Sequence, residues 1–331
     1  MTNVPNSTAL SGASSRILPL APLSFFAMTL GFAETGNAWR WATESLQLSA
    51  IPGEILQGLA VVSCAWWLLL YLNKWISYRA QAVSELRDPV QASFFALLPE
   101  SLLLTALSLA PYVPEFALIT FWVGSLLNIL YASIRLSRFW VSDRSKEHTT
   151  PSMHLVYTAS VLVNSLAAAH FGYMEFAWIL FGMGAISWLI LDSVITDRLF
   201  TAGLDVRFRN FMGIYMAPSA VAFVAYQEIA KADLNLIVVY ALLGYAVFTA
   251  VTVVFSLAWL RQQAFAPGYW AYTFGMSTLT QGFLMLYRSA PNPWLYYSSI
   301  VLLTLSTVLL LYVLIGTISM MVQRKYYPVS S

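Results

Sequence analysis

The sequence predicts an all-α polytopic membrane protein of ten transmembrane helices, arranged as five helical hairpins around a central pore. Three observations lead there. Apolar residues make up 59% of the 331 residues and charged residues only 10%, against roughly 25% charged in a soluble domain. So little charge cannot cover an aqueous surface, and a lipid-facing exterior explains the shortfall. Ten segments are long and apolar enough for a hydrocarbon core, which takes about 20 residues to cross. The cations also segregate, with all but three of the 17 Lys and Arg on one side of the ten-span arrangement.

The expected spans are residues 19–41, 51–77, 89–110, 114–138, 151–170, 173–197, 208–228, 234–261, 267–288 and 293–321. Several open on proline, which suits a first helical turn because its missing N–H would be unpaired there anyway. The connections are short and polar, so neighbouring spans form antiparallel hairpins. Only Arg40, Lys231 and Arg288 fall on the side away from the N-terminus. The excess, running from Arg16 to Lys325, places both termini in the cytoplasm and makes the span count even. Residues 1–18 are then a short cytoplasmic segment, 19–323 the membrane domain and 324–331 a short tail. Residues 1–15 hold no basic stretch followed by an apolar run, so no cleavable leader is expected.

The odd spans share a pattern. Pro99 lies ten residues into the third, Pro218 ten into the seventh and Gly275 eight into the ninth, with Phe25 to Thr29 and Gly31 at that depth in the first. At 1.5 Å per residue these breakers sit roughly 12–15 Å in, near the midplane. The fifth span has neither proline nor glycine inside it. The even spans carry glycines but no mid-span proline. Broken backbone at membrane depth is tolerated where it is buried or lines a cavity. The breakers either kink packed helices or mark a path, and their recurrence on one parallel set favours odd helices inside and even helices outside.

Other chemistries find no support. One cysteine, Cys64, permits neither an internal disulfide nor a CxxC motif, and His148, His154 and His170 have no metal-ligand spacing. No phosphate-binding glycine loop or aqueous histidine–carboxylate cluster occurs. No enzyme activity, cofactor, metal or nucleic-acid partner is expected.

Several strings carry a resemblance. They are Ala38-Trp-Arg-Trp-Ala42; Arg87-Asp-Pro-Val90 leading to Ser93, Phe94 and Pro99; Thr150-Pro151; Gly182-Met-Gly-Ala-Ile-Ser-Trp188; Arg209 before Met212-Gly-Ile214 and Ala217-Pro218; and Trp270-Ala-Tyr-Thr-Phe-Gly275. In order and spacing the chain resembles the TehA and slow anion channel family, from Leu20 onward. The resemblance implies a homotrimer of ten-helix protomers in the lipid bilayer, bacterial inner membrane included. Each protomer would conduct small inorganic or carboxylate anions through its own pore, gated by Phe274. Bacterial members are linked to tellurite resistance, and other relatives move dicarboxylates or sulfite. Phe26 and Phe94 match further aromatic positions. With Thr29, Gly31, Pro99, Ile214, Pro218 and Gly275 they make the expected pore lining.

Physical reading adds to this. A bulky ring at Phe274 beside a flexible Gly275 would block a narrow path by sterics and dewetting. Arg87 and Arg209, at starts of odd helices, would concentrate anions at the cytoplasmic mouth or only enforce topology. Arg288 would serve the outer mouth or snorkel. Asp192 reads as a structural partner. Glu34 and Glu100 depart from the family pattern, which has small or apolar residues there. Each either bonds sideways to a neighbouring helix or, for Glu100, titrates and couples proton to substrate movement. The functions in contention are a gated anion channel, a proton-coupled transporter of dicarboxylate, sulfite or another oxyanion, and a non-conducting sensor.

Overall fold

The computed structural model describes residues 18–327. Arg16, the rest of the expected N-terminal segment at 1–17 and the end of the tail at 328–331 lie outside the described residues. The described chain is all-helical. Its main helices are α1 (Ala27–Leu46), α2 (Ile51–Ser77), α3 (Leu97–Leu109), α4 (Pro114–Val141), α5 (Ala159–His170), α6 (Met174–Thr201), α7 (Ala217–Ile229), α8 (Leu236–Phe255), α9 (Trp270–Ser289) and α10 (Pro293–Val322). Each odd helix packs on the even helix that follows it across a short connection, giving five hairpins. The odd helices also close a ring, α1 on α3, α3 on α5, α5 on α7, α7 on α9 and α9 back on α1.

Burial separates the two sets. Every residue of the 18-residue membrane-length window in Pro151–His170 is buried inside the protein, against 28% for Met174–Thr201, Leu236–Phe255 and Pro293–Val322. Outer helices turn Leu69, Leu126, Ile190, Phe248 and Ile315 outward. Inner helices carry hydroxyl and amide groups that hydrocarbon would not tolerate unpaired. These bond to neighbouring helices: Thr29 to Ser63 at 2.8 Å, Thr35 to Ser277 at 2.8 Å, Ser219 to Thr249 at 3.0 Å, and Trp270 Nε1 to Thr317 at 3.0 Å. Such bonds contribute about 0.6 kcal/mol each in membrane proteins.

Seven helices among the described residues are long and apolar enough to cross a membrane, not ten. The shortfall falls on the first, seventh and ninth expected spans, all of them inner, through charge, shortness or polar content. α1 carries Glu34, Arg40 and Glu44. α7 is only 13 residues long because the chain breaks ahead of it. α9 strings together Thr273, Ser277, Thr278, Thr280 and Gln281.

The breaks are real but differ from the expected ones. Every inner helix is preceded by a tight 3-10 segment: Leu23–Phe26, Gln91–Ala96, Pro151–Met153, Val206–Phe211 and Pro267–Tyr269. Pro99 and Pro218 sit in the first turns of α3 and α7, where proline lacks nothing the helix needs. The third inner helix, α5, with neither proline nor glycine, breaks at Thr158 (φ −122°, ψ −81°), whose hydroxyl donates to the His154 carbonyl at 2.7 Å. Gly31 and Gly275 lie inside unbroken helices. They serve close packing: a Cβ on Gly31 would stand 2.7 Å from the Trp270 ring, and one on Gly275 2.9 Å from Met216.

The start of the ring is held by an ion pair absent from the sequence reading. Lys74 Nζ donates to Glu85 at 2.7 Å, and the other oxygen of Glu85 accepts the Leu23 N–H at 2.9 Å. Both side chains are about nine-tenths buried.

Two stability predictions follow from this packing. Glu85→Ala strands the Lys74 ammonium and costs about 3–5 kcal/mol; thermal unfolding in detergent shows a large drop, and adding Lys74→Met recovers most of it. Equal melting of the single and double variants would contradict the assignment. A Cβ on Gly213 would meet backbone, 2.7 Å from Tyr272 N and 2.9 Å from Ala271 C, whereas one on Gly58 meets nothing within 4 Å. Gly213→Ala therefore destabilises by about 1–3 kcal/mol, while Gly58→Ala leaves the melting temperature level or slightly raised.

Candidate functional site

Three cavities lie in line along the inner ring. The first, of about 580 Å³, opens at the N-terminal ends of the inner helices, between Asp88, Glu147, Arg207 and Lys325. The second holds only about 30 Å³ and is lined from all five inner helices or their lead segments. It shares Ser24, Phe94, Phe211 and Gly268 with the first. The third, of about 650 Å³, opens at the C-terminal ends. The same helix faces run through the second and third. On α1 they are Ala27 and Leu30, then Asn37, Trp41 and Glu44; on α9, Ala271 and Phe274, then Gln281, Met285 and Arg288. Steps of three and four residues keep one helix face on the axis.

The central cavity is where the inner helices begin. Its lining includes Ala27, Leu97, Ala159, Ala217 and Trp270, the first residues of α1, α3, α5, α7 and α9. None of these five starts has a side-chain cap. At α1, α3 and α9 the helical backbone runs straight on from the 3-10 segment, and the Ala27, Leu97 and Trp270 N–H groups already donate to carbonyls of that segment. Among the described residues no Lys, Arg or His lines the cavity, and Glu100 is the one ionisable side chain in its wall. An anion there meets no basic side chain to hold it.

Two aromatic levels narrow the axis. Phe94 and Phe211 meet edge to face at 5.2 Å where the first and second cavities join. Phe274, 5% exposed, lines the second. A volume of about 30 Å³ is roughly that of one water molecule.

Of the residues expected to line a pore, Phe94 and Ile214 line the central cavity beside Phe274. The others do not. Phe26 packs on Tyr71, Thr29 bonds Ser63, Gly31 faces Trp270 and Gly275 faces Met216. The Pro99 carbonyl lies against Gly124 of α4, and Pro218 is buried away from the cavity. The breakers shape the backbone, and the axis belongs to residues one helical face away. Missed in the sequence were Leu30, Leu97, Phe211 and Ala271. The signal was present as apolar residues at three- and four-residue steps on each odd span.

At the N-terminal end the expected mouth cations are displaced. Arg209 lies over the Trp259 ring and donates to the Trp259 carbonyl at 3.0 Å and to Gln262. Arg87 is exposed but does not line the cavity. Arg207 and Lys325 do, balanced by Asp88 and Glu147. Asp88 also accepts the N–H groups of Val90 and Gln91 at 2.8 and 2.7 Å, anchoring the segment that leads into α3. Tyr326 stacks on Phe25 at 4.3 Å, and burial holds its phenol above the usual range.

At the opposite end, Arg40, Lys231 and Arg288 all line one cavity. Each has a carboxylate partner: Arg40 with Glu54 through two bonds of 2.9 Å, Lys231 with Glu228, and Arg288 with Glu44. Asp192 accepts from Tyr245 and lies 3.9 Å from His154, joining the elements around the α5 break.

The two acids separate. One oxygen of Glu34 accepts from Asn37 at 3.2 Å, and Thr278 is a second neighbour. Glu34 falls on the α1 face between Leu30 of the second cavity and Asn37 of the third. Glu100 is fully buried and lines the central cavity, and neither carboxylate oxygen has a hydrogen-bond partner among the described residues. The sideways bond considered for it is not formed.

Comparisons with known proteins agree with this geometry. The SLAC1 family of voltage-dependent anion channels matches residues 21–318. The tellurite resistance protein TehA homolog of Haemophilus influenzae is 26% identical over 271 residues, 81% of each chain. The S-type anion channel SLAH2 of Arabidopsis thaliana is 24% identical over 268 residues, 78% of this chain and 51% of the plant protein, so the chain spans about half of that relative. With a family match over nearly all of its described length, the chain belongs to the SLAC1 voltage-dependent anion channel family, as a multi-pass integral membrane protein and not an enzyme.

Proposed function

We propose that the chain conducts small anions along the axis of the inner ring and is closed by Phe274. The observation that carries this reading is a cavity lined from all five inner helices or their lead segments and too small for more than about one water molecule, with Phe274 in its wall. Wide cavities at both ends leave this as the narrow point. The described lining holds no cationic side chain to trap an anion, which suits conduction more than tight binding. The paired cations at the C-terminal mouth fit weak discrimination among anions.

In this reading all ten main helices cross the bilayer, α1, α7 and α9 shielded by their outer partners. Both termini face the cytoplasm of a bacterial cell, and the N-terminal cavity is the cytoplasmic mouth. The lipid-facing even helices leave room for a homotrimer with one path per protomer. A contribution to tellurite resistance is part of the same reading, drawn from the name of the Haemophilus relative.

The test is anion flux from proteoliposomes loaded with chloride or nitrate. Phe274→Ala removes the ring, and flux rises about tenfold or more over the parent protein. Unchanged flux in a correctly folded variant would remove Phe274 from the path.

A further inference from the structure

We propose that Glu100 is a tethered anion competing with the permeant one for the central cavity, so that its protonation opens the path. The proposal rests on the anion-path reading above and adds a regulator to it.

An anion moving along the axis must pass the central cavity, and Glu100 places a carboxyl group in its wall. Its side chain is in the first turn of α3, fully buried, in the wall that also holds Phe274. Among the described residues neither of its oxygens has a hydrogen-bond partner. A carboxylate built for structure would be paired, because an unpaired buried charge is expensive. Here no partner is present among the described residues, and the group faces the path instead. Ionised, Glu100 repels an anion at contact distance. Neutral, it gives up the site and offers an O–H to the passing anion.

The surrounding groups leave Glu100 in control. Glu34 of α1 is the charged neighbour that acts on it, and another negative charge cannot relieve the block. Cys64 of α2 is beside Thr105. Tyr131 and Arg135 of α4 turn to the carbonyls of Ala92 and Pro89. His154, ahead of α5, faces Thr158 and Asp192. α7 and α9 bring no charged side chain to the cavity wall.

The experiment uses nitrate, whose own charge does not titrate, with full-length Phe274→Ala protein in liposomes so that the ring does not mask the effect. Flux falls several-fold from mildly acidic to mildly alkaline buffer. Adding Glu100→Gln keeps a hydrogen-bond donor without the charge, and flux becomes high and independent of pH. Persistence of the full pH dependence in the double variant would overturn the proposal. A second readout needs no flux. Proton and nitrate binding are linked, so nitrate added at fixed pH makes Phe274→Ala protein take up protons and strengthens the infrared band of a neutral carboxylic acid. Both signals vanish with Glu100→Gln, and no nitrate-dependent proton uptake in Phe274→Ala protein would again overturn it. Absence of nitrate flux through Phe274→Ala at every pH is a different result, which removes the channel reading itself and this proposal with it.

Discussion

An unpaired polar group in hydrocarbon loses several kcal/mol, and the arrangement of this chain follows from avoiding that loss. The inner helices begin in broken, 3-10 backbone and carry buried Thr, Ser, Asn and Gln. Lipid would not accept them. Five long apolar helices therefore surround them, each lying against its own hairpin partner. The outer set pays with plain hydrophobic surface, and the inner set is freed to be irregular.

That freedom shapes the axis. Each inner helix enters through a 3-10 segment, and residues from all five meet where the cavity is narrowest. Basic side chains are held elsewhere. Arg209 lies on Trp259, and Arg40, Lys231 and Arg288 are matched by Glu54, Glu228 and Glu44. Among the described residues the one ionisable side chain in the wall of the central cavity is Glu100.

Much of this was legible in the sequence. The hairpin order and the inner and outer sets followed from hydropathy and from breakers at one depth, and the family followed from strings such as Trp270 to Gly275. What the sequence concealed was which face of each inner helix meets the axis. Pro99, Pro218, Gly31 and Gly275 were conspicuous because they are rare in helices, yet they act on backbone geometry and close packing. The axis residues are ordinary alanines, leucines and phenylalanines, distinguished only by phase. The break at Thr158 was hidden because a threonine hydroxyl bonding its own helix replaced the usual proline. The Lys74–Glu85 pair was hidden because it joins two elements, α2 and the surface helix Arg79–Arg87, that a reading by spans treats separately.

The central claim is that a water-accessible axis is interrupted at Phe274. Cysteine accessibility tests it most directly, since the native Cys64 is buried and is the only cysteine to replace. Three single cysteines on a Cys64→Ser background sample the axis: at Gln91 in the N-terminal cavity, Ala217 in the central one and Gln281 in the C-terminal one. The account expects a membrane-impermeant thiol reagent to label the first only from the cytoplasmic side and the third only from the opposite side. The cysteine at Ala217 stays unlabelled until Phe274→Ala is added. Labelling at Ala217 with Phe274 in place, or none after its removal, would contradict it.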